Sequence, residues 1–138
     1  MSVWALDQVF AATWTIDEAR VAAFLRCSGD TNPVHVDDAF AQARGYRARL
    51  VHGALLQALV SGFVGTGLPV KDTLCLMQKL SNRQPVYVGD EVTLTARVTA
   101  VQPAPTDPQR VCVAFDLVFR RGPEIVANGE LQILAGDA

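Results

Sequence analysis

Apolar positions crowd most densely between Val51 and Val70, where Leu55, Leu56, Leu59, Val60, Phe63 and Val64 recur at helical spacing but on more than one face. The pattern predicts a long helix that begins at Gly53 and is enclosed on nearly all sides. The stretch also carries His52, Gln57, Ser61, Thr66 and four glycines, which favours a buried helix over a membrane span. After it, the runs Thr73 to Leu80, Glu91 to Val101, Arg110 to Phe119 and Glu124 to Leu134 are rich in valine, leucine and threonine. Turn signals separate them at Val88-Gly89-Asp90, Pro103 to Pro108 and Arg121-Gly122-Pro123. They read as an antiparallel sheet curling around the helix, with a further strand near Gln8 to Trp14.

Ahead of the long helix, Thr15-Ile16-Asp17-Glu18 has the form of a capping box, and Val21, Phe24 and Leu25 repeat at helical spacing until Gly29 supplies a stop. Asp37 or Asp38 caps a short helix through Phe40 and Ala43, which Gly45 ends. Between these helices, Gly29 and the Asn32-Pro33 pair predict a compact, non-helical loop from Asp30 to His35. With no repeat, low-complexity tract or linker, the expectation is one α+β domain over residues 1–138.

Composition narrows the partners. Half the residues are hydrophobic and 19% are charged, as in a packed chain rather than a disordered one. A net charge of −2 without a basic run interleaved with aromatics gives no nucleic-acid footprint, so any anionic partner must meet a local patch. Cys27, Cys75 and Cys112 lack CxxC spacing and read as small apolar core residues. No basic-apolar leader pattern opens the sequence, so a cytoplasmic setting is the default.

The chain has two histidines, and they flank one region: Ser28-Gly29-Asp30-Thr31-Asn32-Pro33-Val34-His35, then His52-Gly53. Asp30 and His35 stand five residues apart on a turn, so a carboxylate and an imidazole can reach one water as an acid/base unit. Asp30, His35, Asp37 and His52 show no His-x3-His or comparable ligand spacing, which argues against a metal site. The Gly53 amide opens the long helix, where unpaired N–H groups and the positive end of the dipole suit a carbonyl oxygen. His52 suits backbone capping or propping of the loop.

The segment resembles the hydratase-2 motif of MaoC-like, (R)-specific enoyl-CoA hydratases. Its six fixed residues, Ser28, Gly29, Asp30, Asn32, Pro33 and His35, would coincide by chance at about one start position in tens of millions at equal residue frequencies. Phe24, Asp37, Phe40, Ala41, His52-Gly53, Gln78, Pro85-Val86 and Gly89-Asp90-Glu91-Val92 follow in the family's order. The sequence departs from the pattern at Ala54, where a larger residue is usual, and at Asn82, where an aromatic is common; both bear on pocket size and substrate preference.

The resemblance implies a single hot-dog fold and a homodimer built by joining sheets side by side. It also implies a cofactor-free hydro-lyase that interconverts trans-2-enoyl and (R)-3-hydroxyacyl thioesters of coenzyme A or acyl carrier protein. Asp30 and His35 would then be the catalytic dyad and the Gly53 N–H the carbonyl donor, with Asn32 bracing the loop. Ser61 aligns with a family serine near the dyad, though a serine in an apolar helix also commonly bonds back to a carbonyl one turn earlier. Val60, Phe63 and Val64 would line an acyl tunnel, and Arg44, Arg47, Arg49, Lys79 and Arg83 are the cations near enough to meet phosphates. Two other readings stand beside this one. A thioesterase on the same fold would aim the water at the carbonyl carbon, and a non-catalytic member would be an acyl-binding scaffold or one subunit of a heterodimeric dehydratase.

Overall fold

Five strands form one antiparallel sheet in the order β1-β3-β4-β5-β2. In the computed structural model, which describes residues 2–138, they are β1 (Val9–Thr15), β2 (Thr73–Asn82), β3 (Glu91–Pro103), β4 (Arg110–Arg121) and β5 (Glu124–Gly136). Met1, the expected domain's first residue, lies outside the described residues. All four helices, α1 (Glu18–Ser28), α2 (Pro33–Val36), α3 (Asp38–Ala43) and α4 (Gly53–Thr66), fall between β1 and β2, which occupy opposite edges of the sheet.

Alternation decides which side of the sheet meets the helix. Along β4, Val111, Val113, Phe115, Leu117 and Phe119 are buried and every intervening residue is partly open. Their ladder partners on β3 and β5 bury Leu94, Val98, Leu131 and Ile133 on the same face. Leu56, Val60, Phe63 and Val64 of α4 join these residues in one continuous core. Four strands, β2 to β5, run two residues beyond the predicted ends because antiparallel pairing continues to the turns, as at Arg121↔Glu124 across Gly122, whose φ is 56°.

Several expectations are corrected. Thr15 does not open a capping box: its backbone pairs with Glu91 at the end of β1, and Asp17 caps α1 by accepting from the Arg20 N–H. The Asp30–His35 segment is not wholly non-helical. Pro33 pre-sets φ for a helical turn and the Asn32 side chain accepts from the Val34 N–H, so residues 33–36 form α2 with His35 on it. Helix α4 is not enclosed all round, since Ala54, Ala58, Ser61, Gly62 and Gly65 form an exposed face of small residues while the larger apolar ones turn inward. The cysteines are not core: Cys27 and Cys75 are exposed, and Cys112 lies on the outward alternation of β4.

Among the described residues no helix is long and apolar enough to cross a membrane; the apolar run at 51–70 is a 14-residue helix packed on the sheet. Residues 83–90 link β2 to β3 and are pinned from four directions. Arg83 and Gln84 donate their N–H groups to Val126 O, Val86 O accepts from Val51, Gly89 donates to Ile16 O, and Asp90 Oδ2 accepts from Tyr87. Arg121 Nη1 donates to both Pro85 O (2.8 Å) and Asp90 Oδ2 (2.6 Å). The hydrogen bond to Asp90 is the main reason the Arg121 guanidinium is held above its ordinary pKa, against the opposing effect of burial.

Candidate active site

Local rules set the Asp30 loop. Gly29 ends α1 in the left-handed region, with φ 68°, and donates its N–H to Leu25 O. Its conformation turns the chain sharply, after which three short side chains fold back on the main chain. Ser28 Oγ accepts from the Asp30 N–H, Asp30 Oδ1 from Asn32 and Asn32 Oδ1 from Val34. Asn32 therefore braces the loop, and one Asp30 oxygen is committed to the backbone.

The other Asp30 oxygen, Oδ2, faces His35 Nε2 at 3.7 Å. His35 Nδ1 lies 2.8 Å from Leu50 O. A carbonyl oxygen can only accept, so Nδ1 carries a proton, and in the neutral form of the ring Nε2 is the acceptor that faces Asp30. His52 sits beneath this pair. Its Nε2 donates to Asp30 O at 2.9 Å, and its ring stacks on His35 at 4.0 Å and meets Phe24 at a tilt, with centroids 5.0 Å apart. It props the loop rather than capping α4, for it makes no side-chain cap bond. The residue is 2% exposed, and its Nδ1 is buried without a partner.

Asp30, His35 and His52 bring potential ligand atoms within 4.8 Å of one another, a cluster the sequence spacing did not reveal. Each imidazole already spends one nitrogen on a backbone carbonyl, and the free nitrogen of His52 is enclosed. This donor set suits orientation of the loop better than a metal shell.

A cleft of about 300 Å³ opens beside the dyad, bounded by His35, Tyr46, Gly53 and Leu56 on one side and Asn82, Gln84 and Val86 on the other. The Gly53 N–H gives no hydrogen bond to the described residues and stands at the first turn of α4. Its missing side chain is explained by a neighbour: a Cβ there would lie 2.9 Å from Asn82 Cγ and closer still to Nδ2. Asn82, noted in the sequence only as a departure, thus packs directly on Gly53.

Four residues expected at the substrate are elsewhere. Val64, with Val60 and Phe63, is sealed in the core and does not border the cleft. Ser61 lies on the exposed small-residue face of α4, outside the cleft, and its hydroxyl bonds to no carbonyl of the preceding turn. Of the cations, Arg83 borders the cleft and Arg47 lies over the Tyr87 ring at 4.2 Å. Arg49 is tied to Glu18, Arg44 covers Phe40, and Lys79 does not border the cleft. Sequence reasoning missed the Leu50 carbonyl and the Arg121 brace, because neither a main-chain acceptor nor a contact 36 residues away leaves a local signature.

Comparison with known proteins adds independent evidence. Residues 5–114 match the family described as MaoC like domain. The (R)-specific enoyl-CoA hydratase of Aeromonas caviae is 40% identical over 112 residues, 81% of this chain and 81% of that protein. The 3-hydroxybutyryl-CoA dehydratase of Methylorubrum extorquens is 30% identical over 115 residues, covering 83% and 70%. Among solved structures, an R-hydratase of Pseudomonas aeruginosa superposes with a TM-score of 0.81 at 32% identity, over 98% of this chain and 84% of that one.

Proposed function

The chain belongs to the MaoC-like domain family, has its hot-dog fold and is a hydro-lyase of the (R)-specific enoyl-CoA hydratase kind, and we propose that Asp30 and His35 carry out its proton transfers as one unit. The observation that carries this reading is the 3.7 Å separation of Asp30 Oδ2 and His35 Nε2. Both atoms are acceptors when the ring is neutral. The gap is too long for a direct hydrogen bond and short enough for one water to donate to both.

Hydration then proceeds with that water. Its oxygen bonds to the β-carbon of a trans-2-enoyl thioester, the alkene π electrons move toward the carbonyl oxygen, and one water proton passes to the dyad. As the electrons return, the dyad gives a proton to the α-carbon on the same face. Dehydration is the reverse. One water touches both groups, so the dyad rather than either residue acts as acid and base in this scheme. Gly53 N–H would hold the thioester carbonyl as charge develops on it. Asn32 keeps Asp30 in place, His52 supports the loop from below, and Leu56 and Val86 offer apolar surface to the acyl chain. Neither Ser61 nor Val64 enters this scheme within one chain.

The carrier would be coenzyme A or acyl carrier protein, with Arg83 and Arg47 the nearest cations for its phosphates. A homodimer fits the free edge of β2, where Leu74 and Leu76 are 56% and 51% exposed. Unpaired Cys27 and Cys75, both exposed, suit a reducing cytoplasm.

Loss of the enoyl ultraviolet absorbance of crotonyl-CoA, with thiol release followed in parallel, tests the reaction. Absorbance loss without thiol, abolished in folded Asp30→Asn and His35→Ala, is expected. Thiol release would instead mean a thioesterase, and silence across chain lengths a binding subunit.

A further inference from the structure

We propose that Asn82 is a catalytic residue of this chain: its carboxamide is a second hydrogen-bond donor to the thioester carbonyl that Gly53 N–H receives. The inference rests on the thioester reading above.

Three observations support it. First, Asn82 is held by the sheet, not by a flexible loop. It is the last residue of β2, its Cα is paired with Ala127, and the next residue donates to Val126 O. Ala127 is fully buried, and directly paired residues share a face, so Asn82 turns to the inner side where α4 lies. Second, the carboxamide is packed on Gly53. Nitrogen and Cβ share one Cα, so contact with the Cβ position keeps Nδ2 within about 5 Å of the Gly53 nitrogen. An oxygen accepting from that N–H at ordinary length sits within reach of a small rotation of the Asn82 side chain. Third, neither donor is committed. The Gly53 N–H and the Asn82 carboxamide bond to no other described residue, and both border the cleft that contains His35.

The chemistry asks for such a pair. Attack of water on the β-carbon sends electron density to the thioester oxygen, and each donor aimed at that oxygen is worth more as the charge grows. One backbone amide supplies one hydrogen bond, while the oxygen has two lone pairs. A carboxamide fits the vacancy because it is neutral, so it would not pin the ground state as a lysine would. The packing also gives a second reason for glycine at position 53: a side chain there would expel Asn82 from the carbonyl site.

The test uses Asn82→Leu, which keeps the volume, and Asn82→Ala, which empties it, each checked by its melting temperature. On crotonyl-CoA both should lower kcat by about 10²-fold, the usual loss for one oxyanion donor, with KM changed by less than about 3-fold, because the bond strengthens in the transition state. A second readout does not need turnover. In an Asp30→Asn background, the carbonyl of crotonyl-CoA labelled with ¹³C at the thioester carbon should shift downfield on binding, and adding Asn82→Leu should remove part of that shift. A kcat within about 2-fold of the wild type, or an unaltered carbonyl shift, would overturn the proposal. So would a loss that grows with acyl length, since Asn82 would then be reading the chain instead of the carbonyl. If the parent enzyme shows no hydration yet the carbonyl shift depends on Asn82, the reaction reading fails and the donor stands.

Discussion

The two walls of the cleft are built on opposite plans. On the dyad side, four polar side chains are tied to the main chain: Asp30 to Asn32, Asn32 to Val34, His35 to Leu50 and His52 to Asp30. The far wall, residues 82–90, has its main chain anchored by Val126, Val51 and the Arg121–Asp90 pair, while Asn82, Arg83 and Gln84 expose their side chains. The first wall fixes side chains as well as backbone, which is the precision that proton transfer would ask for; on the second, Asn82 and Gln84 side chains make no hydrogen bond to the described residues, while Arg83 is tied to Asn128 and Asp90 to Arg121.

Removing either dyad member should break the comparison hardest. His35→Ala or Asp30→Asn is expected to cut kcat/KM by about 10² to 10⁴-fold, the range for a general acid or base, with a circular dichroism spectrum like the wild type. An activity loss of less than about 5-fold in both would remove the first wall from the chemistry.

A subtler change addresses the support beneath it. His52→Phe keeps a ring between His35 and Phe24 but loses the donor to Asp30 O. We expect kcat to fall about 10-fold, on the order of one hydrogen bond's net contribution, with a KM close to that of the wild type. A rise in KM alone would assign His52 to substrate binding.

The far wall should respond in stability. Arg121→Met takes the guanidinium from the largely buried Asp90 carboxylate, which keeps the Tyr87 N–H and the more distant Arg47, and leaves Pro85 O without that donor, at a cost of about 2 kcal/mol for charged hydrogen bonds. In a domain of this size that is a drop of several degrees in melting temperature. Calorimetry on Arg121→Met and on the Arg121→Met/Asp90→Asn double variant would show whether the under-compensated Asp90 charge is the cause, since the double variant should recover part of the loss. The smallest effect is expected at Arg49→Gln, which breaks a surface pair with Glu18 and should change stability by no more than about 0.5 kcal/mol. A larger loss by denaturant titration would mean that this pair helps fix the dyad wall.

How much of this was legible in the sequence follows the same division. Asp30, Asn32, Pro33 and His35 bond or face neighbours a few residues away, so the turn and the approach of a carboxylate to an imidazole could be read from spacing, although the helical turn at Pro33 was not. The long helix and the strands could be read because their apolar periodicity is strong. Outside that range the sequence was silent or misleading. The Leu50 carbonyl fixes the His35 tautomer, yet a main-chain oxygen has no residue type. Asn82 meets Gly53 only because β2 is paired with β5, a contact no local pattern encodes. Thr15 looked like a cap because propensity cannot know that its backbone is already used by β3, and the cysteines looked apolar because alternation depends on register.

The placement of β1 and β2 on opposite sheet edges also sets an order of assembly. The β3–β4 and β4–β5 ladders join neighbours in sequence, whereas β2 must pair with β5 across most of the second half of the chain, Thr73 with Ala135 and Asn82 with Ala127. Closing so long a loop is slow, and an edge strand bonded on one side opens first. Native-state hydrogen exchange should therefore find β2 amides less protected than those of β4. Because Asn82 ends that strand, a chain that has lost only β2 keeps most of its sheet and already has no second wall.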